Sequence, residues 1–239
     1  MKQYRNYTVV LLSAPVLLQA QKQHIHTDMV WLGYYNTMQF SNRYSLNSDI
    51  QFRTKEWVSQ WSQQLIRTGL SYKINDQSSI TAGFAWFRNA KYKDNTVSFL
   101  NEWRPWQEYA HSLNAGKFLI LQRVRLEERF LELSSVGKTP SPYNYITRLR
   151  YRLEAQVPLK KNKIYFGLIN EIMVNPAYIK TPKFLDQNRT FASLDVRVSN
   201  ATTIQGQVMK IVVWHQDNVL EDQNVLRFNI VQSLNLKRK

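Results

Sequence analysis

Two segments near the middle of the chain change polarity at almost every residue. In Arg123-Val-Arg-Leu-Glu127-Glu-Arg129-Phe, the residues Arg123, Arg125, Glu127 and Arg129 share one parity, and Val124, Leu126 and Phe130 share the other. Arg148, Arg150, Arg152 and Glu154 repeat the arrangement against Leu149, Tyr151, Leu153, Ala155 and Val157. A period of two is that of a β-strand, in which i, i+2 and i+4 lie on one face. Alternation alone fits any half-buried sheet. The density of long charged side chains on one face sets these two segments apart.

From Met29 onward the whole chain reads as strands, with no sustained 3.6-residue period. The expected strands run over Met29–Phe40, Tyr44–Arg53, Trp61–Lys73, Ser79–Arg88 and Val97–Leu113, then through the Arg123 and Arg148 segments. Lys163–Val174, Gln187–Val198, Thr202–Trp214 and Val225–Leu236 complete the series. Short turns such as Ser41-Asn42-Arg43, Asn114-Ala-Gly-Lys117 and Ser199-Asn200 alternate with longer polar links such as Asn89–Asn95, Gly137–Tyr143 and Asn175–Asp186. Pro105 has no N–H to give to a ladder, so a bulge or bend is expected there. Alternating short and long connections between strands of about 10 to 14 residues are the pattern of an antiparallel transmembrane β-barrel. Eleven strands can be read directly. Bacterial barrels have an even number, so the expectation is about twelve, with one strand hidden near the N-terminus and ten as the alternative.

The cost of placing Arg or Lys against lipid, about 2–4 kcal/mol at the midplane, then decides which face is which. The charged parity must face a lumen. The expected lumenal charge network is Glu102, Arg104, Arg123, Arg125, Glu127, Arg129, Arg148, Arg150, Arg152, Glu154, Glu171, Arg189, Asp195 and Arg197. Asp49, Arg53, Arg67, Glu108 and Arg227 share the same parity. All of the basic members are Arg, whose planar fork can serve two carboxylates at once. Trp31, Trp86, Trp103, Trp106 and Trp214 are expected in aromatic girdles at the membrane surfaces.

Composition adjusts this picture in two places. The chain has 239 residues, 32 Lys and Arg against 17 Asp and Glu, a formal charge of +15 and no Cys. Such a charge would suggest nucleic acid, but with the arginines turned inward no nucleic-acid partner is expected. At the N-terminus, Lys2 and Arg5 precede an apolar run over Thr8–Leu18, with small Ala20 at a cleavage position. Residues 1–20 therefore read as a signal peptide, 21–28 as an N-terminal tail and 29–239 as the barrel. The expected location is the outer membrane, reached by export.

Chemistry-bearing motifs are few. His24-Ile-His26 has metal-ligand residue types but no Cys beside it and lies next to the expected cleavage site, so a tail rather than a metal site is expected. His111-Ser112 carries the residue types of a lipid hydrolase, yet strand neighbours point to opposite faces. Glu127 and Glu154, among so many Arg, read as ion-pair partners rather than an acid/base pair. No phosphate loop, nucleotide fingerprint or nucleophile elbow occurs, and no cofactor or catalytic residue is expected.

Several stretches together resemble the family known as domain of unknown function 2490. They are Trp31-Leu-Gly-Tyr with Asp49-Ile-Gln-Phe-Arg53, Glu102-Trp-Arg104-Pro-Trp-Gln107, the Arg123 and Arg148 segments, Asn170-Glu171 and Asp186-Gln-Asn-Arg189. The resemblance implies a Gram-negative outer-membrane β-barrel and no known activity. The chain departs from barrel pattern in ending Asn235-Leu-Lys-Arg-Lys239 rather than on an aromatic. The function expected is that of a structural barrel or a narrow anion-preferring channel. The alternative is a lipid-modifying outer-membrane enzyme resembling phospholipase A. Expected partners are outer-membrane lipids, the barrel-assembly machinery during biogenesis and a small anionic solute. A soluble exported barrel binding a small ligand is a third reading.

Overall fold

The computed structural model describes residues 23–94, 96–133, 142–160, 163–178, 184–215 and 219–236. The expected signal peptide, most of the Gly137–Tyr143 loop and the last three residues lie outside them. The described chain forms eleven strands: β1 (Gln23–Gln39), β2 (Tyr44–Lys55), β3 (Gln60–Lys73), β4 (Ser78–Lys93), β5 (Thr96–Ala115), β6 (Phe118–Glu132), β7 (Tyr143–Lys160), β8 (Ile164–Val174), β9 (Leu185–Arg197), β10 (Thr202–Trp214) and β11 (Val219–Asn235). A single 3-10 turn, Pro176–Tyr178, follows β8.

Each strand pairs antiparallel with its sequence neighbour, and β1 pairs with β11 to close the barrel. In a meander with an odd number of strands, the first and last must point the same way. The closing pair is accordingly parallel, running in register from Gln23↔Val219 to Gln39↔Asn235. The twelfth strand expected near the N-terminus is not among the described residues. Residues 23–28, expected as a tail, instead form the start of β1, where His26 faces Asp222 of β11 and gains a ladder to join.

The strands are longer than the sequence suggested because several continue past the apolar stretch into polar residues. Asn89–Asn95, expected as a loop, is strand as far as Lys93, since Lys91↔Ser98 and Lys93↔Thr96 extend the β4–β5 ladder. One end of the barrel carries the turns after β1, β3, β5, β7 and β9 and is the short-turn end. The other carries the 133–142 and 175–184 links and is the loop end. Pro105 interrupts the β5–β6 ladder between Trp103↔Phe130 and Trp106↔Glu127, but the register is the same on both sides. The expected bulge is therefore absent there. Register shifts occur instead at Arg53/Thr54, Pro158/Lys160 and Met173/Val174.

The two faces separate cleanly on most strands. Val124, Leu126, Phe130, Leu149, Tyr151 and Leu153 are exposed on the outside, while Arg125, Glu127, Arg148 and Glu154 are buried inside. Leu32, Ile50, Ile66, Phe84, Leu168, Leu194, Val208 and Phe228 continue the outer apolar band around the barrel. Near the loop end the band gives way to polar side chains on β1, β10 and β11. There His26 Nδ1 lies 2.8 Å from Asp222 Oδ2, and Asn224 Nδ2 donates to Asp28 Oδ1 at 3.1 Å.

Two of the expected girdle tryptophans are elsewhere. Trp31 and Trp106 are inside the barrel, 3% and 4% exposed. The outer aromatics are Trp86 stacked on Trp103, Phe52 beside Trp61 and Phe130 beside Tyr145 towards the loop end, with Phe40, Tyr44 and Tyr72 at the short-turn end. Trp106 shares parity with Arg104 and so had to be lumenal. Gly69 and Gly83, paired across β3 and β4, leave room for its ring. A Cβ at Gly83 would stand 2.6 Å from the Trp106 ring and 2.2 Å from the Thr68 carbonyl oxygen.

Candidate functional site

The lumen holds a connected set of ion pairs built from β5 to β8. Glu127 accepts from Arg150 Nη1 at 2.6 Å, and Arg150 Nη2 donates to Glu171 at 2.8 Å. Glu171 also accepts from Arg123 at 2.6 Å, and Arg123 lies 3.5 Å from Glu108. Glu108 binds Arg125 at 2.5 Å, and Arg125 lies 3.8 Å from Glu127, closing the circuit. Three carboxylates and three guanidiniums thus alternate in a ring. A branch runs from Glu127 to Arg104 at 3.3 Å and on to Glu102, which accepts from both Arg104 and Arg129 at 2.6 Å.

Cross-strand register explains why these residues meet. Arg123↔Arg152, Arg125↔Arg150 and Glu127↔Arg148 face each other between β6 and β7. Like charges opposite one another would repel, so carboxylates from the flanking strands, Glu108 on β5 and Glu171 on β8, interleave them. Lumenal aromatics support the guanidiniums. Arg125 lies over Trp106 at 4.3 Å and Arg104 over Phe87 at 3.7 Å, a geometry in which the ring quadrupole attracts the cation.

Outside the ring, Arg152 binds Glu154 at 2.5 Å, Arg67 binds Asp49 at 2.7 Å and Arg148 binds Asp186 at 2.7 Å. Asp186 has the opposite parity to Arg189, so simple alternation puts it outside. The register shift at Met173/Val174, where Val174 pairs with Leu185 while Met173 pairs with Gln187, turns it inward. Arg189, Asp195 and Arg197 face the lumen but join none of these ion pairs. Asp195 accepts from Gln156 at 3.1 Å, and Arg197 lies over Tyr165 at 5.7 Å.

A second cluster consists of arginines outside the ion pairs. Arg53, Arg189 and Arg227 approach the Trp31 ring at 4.0, 5.3 and 5.9 Å. Their hydrogen bonds go to neutral groups. Arg53 donates to Gln63 at 2.6 Å and Gln51 at 2.8 Å, Arg189 to Gln187 at 2.7 Å, and Arg227 to Asn229 at 3.2 Å and to the Tyr35 hydroxyl. None of the three is in an ion pair with any described carboxylate.

Two of the cavities among the described residues lie towards opposite ends of the lumen. One of about 740 Å³ extends from the middle to the loop end and is lined by Trp31, Arg53, Arg148, Arg189 and Arg227 among others. Another of about 770 Å³ opens at the short-turn end beside Lys73, Asp76 and Glu154. Arg123 and Arg152 line both, so the partition between the cavities is made of these residues and their carboxylates. In the short-turn rim, Lys73 lies 2.6 Å from Asp76 and holds its carboxyl below the ordinary aspartate range.

The lumen is not charged all round. Met29, Trp31, Ile169, Phe191, Met209, Ile211, Val213 and Val225 form a buried apolar cluster on the opposite wall. Sequence alternation missed it because Val208–Trp214 is apolar on both faces apart from Lys210. No group of three or more metal-ligating side chains occurs among the described residues. His111 and Ser112 do not meet. His111 Nδ1 is instead 2.9 Å from Ser78 Oγ, with the Tyr109 hydroxyl 3.1 Å from the same oxygen.

Comparison with known proteins adds the following. No match is found among curated proteins. A NanC porin structure aligns at 10% identity and TM-score 0.46, covering 76% of this chain and 86% of that one. The siderophore receptor PirA from Pseudomonas aeruginosa aligns at 9% identity and TM-score 0.29, covering 73% of this chain and 32% of that one. Both scores are low, so the barrel architecture stands on the strand pairing itself. The sequence profile described as protein of unknown function (DUF2490) matches residues 28–222, most of the barrel, and the chain belongs to this family.

Proposed function

We propose that the protein is an outer-membrane β-barrel whose lumen forms a narrow, anion-preferring conduit. The continuous outer band of exposed Leu, Ile, Val and Phe supports burial in lipid, where closed barrels leave no backbone polar group unpaired. Short turns at one end and longer links at the other suit the periplasmic and external sides. The observation that carries the conduit is the pair of cavities, one reaching each end of the barrel, that share Arg123 and Arg152 in their walls. The carboxylates of the ring are each shared by arginines, and Arg53, Arg189 and Arg227 add charge outside the ion pairs. A path through such walls favours anions.

The test is current through planar bilayers containing the refolded protein under a salt gradient. Anion selectivity that falls on Arg152→Gln supports the conduit. Cation selectivity, or a barrel that fractionates with outer membrane and carries no current, overturns it. Recovery of the native protein as a soluble monomer without detergent overturns the membrane reading as well. The Ser78–His111 contact is the one observation that favours a lipid-modifying enzyme. That reading requires phospholipid hydrolysis abolished by Ser78→Ala and unaffected by Ser112→Ala.

A further inference from the structure

The geometry points to a binding site for a small organic carboxylate at Arg53, Arg189 and Arg227, with its apolar body against Met29, Phe191 and Met209. This inference rests on the lumen being the functional surface and names the class of solute it would hold.

Three features converge on one wall of the 740 Å³ cavity. The first is charge without a counter-ion. Most other arginines of this lumen meet a carboxylate, at 2.5–2.7 Å in Arg67–Asp49, Arg148–Asp186 and Arg152–Glu154. Here Gln51, Gln63, Gln187 and Asn229 stand in those places. Amides fix a guanidinium by hydrogen bonds and leave its charge intact. Glu171 faces Arg189 across the β8–β9 ladder but is ion-paired to Arg123 and Arg150, and three cations held close together without an ion-paired carboxylate are destabilising unless an anion joins them.

The second feature is free donor capacity. Arg53 Nε is buried without a hydrogen-bond partner, and each guanidinium has five N–H donors. Forked donors of this kind match a carboxylate in two-point contacts. The third is the neighbouring surface. Met29, Phe191 and Met209 line the same cavity and pack with Trp31 in one apolar cluster. An inorganic anion has no use for that wall, whereas an acid with a ring or short chain would bury its body there.

The experiment is calorimetric titration of the full barrel, refolded in detergent, with benzoate, acetate and inorganic phosphate. Saturable benzoate binding at least tenfold tighter than acetate or phosphate is expected. Arg189→Gln and Arg227→Gln should each weaken it at least tenfold while leaving the unfolding midpoint unchanged or higher, because each relieves repulsion. That combination separates a ligand site from a structural role. Absence of saturable binding overturns the inference, as does unchanged affinity in both variants, and phosphate binding as tightly as benzoate overturns the class of ligand. Binding is measured without current. A non-conducting barrel that binds benzoate therefore defeats only the conduit, and a conducting barrel that does not bind it defeats only this site.

Discussion

Replacing Glu171 with Gln tests the ion-pair ring at its most informative point. Glu171 joins Arg123 and Arg150 at 2.6 and 2.8 Å, and its side chain is 4% exposed. Gln has nearly the same shape and can still accept from one guanidinium, so the change removes charge with little change in packing. A hydrogen bond to a charged partner is worth about 1.5–3 kcal/mol against about 0.5–1.5 for a neutral one. Two such bonds weakened therefore lose roughly 2–3 kcal/mol. Breaking a buried pair outright costs about 3–5 kcal/mol, but Arg150 keeps Glu127 at 2.6 Å and Arg123 keeps Glu108 at 3.5 Å. The expected loss is thus about 2–3 kcal/mol, lowering the folding equilibrium constant by roughly thirty- to a hundred-and-fifty-fold. Urea unfolding in lipid vesicles, followed by tryptophan fluorescence, measures it. The double variant Glu171→Gln/Arg123→Gln should recover part of the loss, because it removes the cation left behind. A loss below about 0.5 kcal/mol for the single variant would refute the ring as a buried, mutually dependent structure and mean that water screens each pair separately.

Other substitutions test the frame around the ring. Gly83→Ala would force a Cβ to 2.2 Å from a backbone oxygen and against the Trp106 ring, so a loss of about 1–3 kcal/mol is expected, as for overpacking. Trp106→Leu in the same background should restore less than half of it, since the backbone clash remains. Leu126→Arg puts a charge in the outer apolar band and should lower membrane-inserted stability by about 2–4 kcal/mol, whereas Glu128→Arg on the same face nearer the loop end should cost less. If the mature chain spans the membrane as a closed barrel, unheated samples should migrate differently from boiled ones in detergent gels, and identical migration counts against it.

Much of the architecture was legible because the backbone imposes a period of two and lipid rejects charge. Those two facts together placed Arg123, Arg125, Glu127 and Arg129 on one wall and Val124, Leu126 and Phe130 on the other. They failed wherever a local rule gave way to a longer-range one. Asp186 needed a register shift to turn inward. His24–His26 became strand because β11 lay alongside. Trp31 and Trp106 looked like girdle residues because an aromatic suits both an interface and a lumen, although parity with Arg104 already turns Trp106 inward and the paired glycines make room for its ring.

The one-dimensional pattern determined that the chain is made of strands, that the charged face turns inward and that arginine dominates it. Which arginine meets which carboxylate is set by the register between strands far apart in sequence, and that register exists only after the barrel closes. The same holds for the odd count of described strands and its parallel closure. It holds also for the three arginines around Trp31, which come from β2, β9 and β11 and carry no signal of their proximity along the chain. Side-chain parity is a local property of the backbone, whereas charge compensation depends on every neighbour the fold brings near.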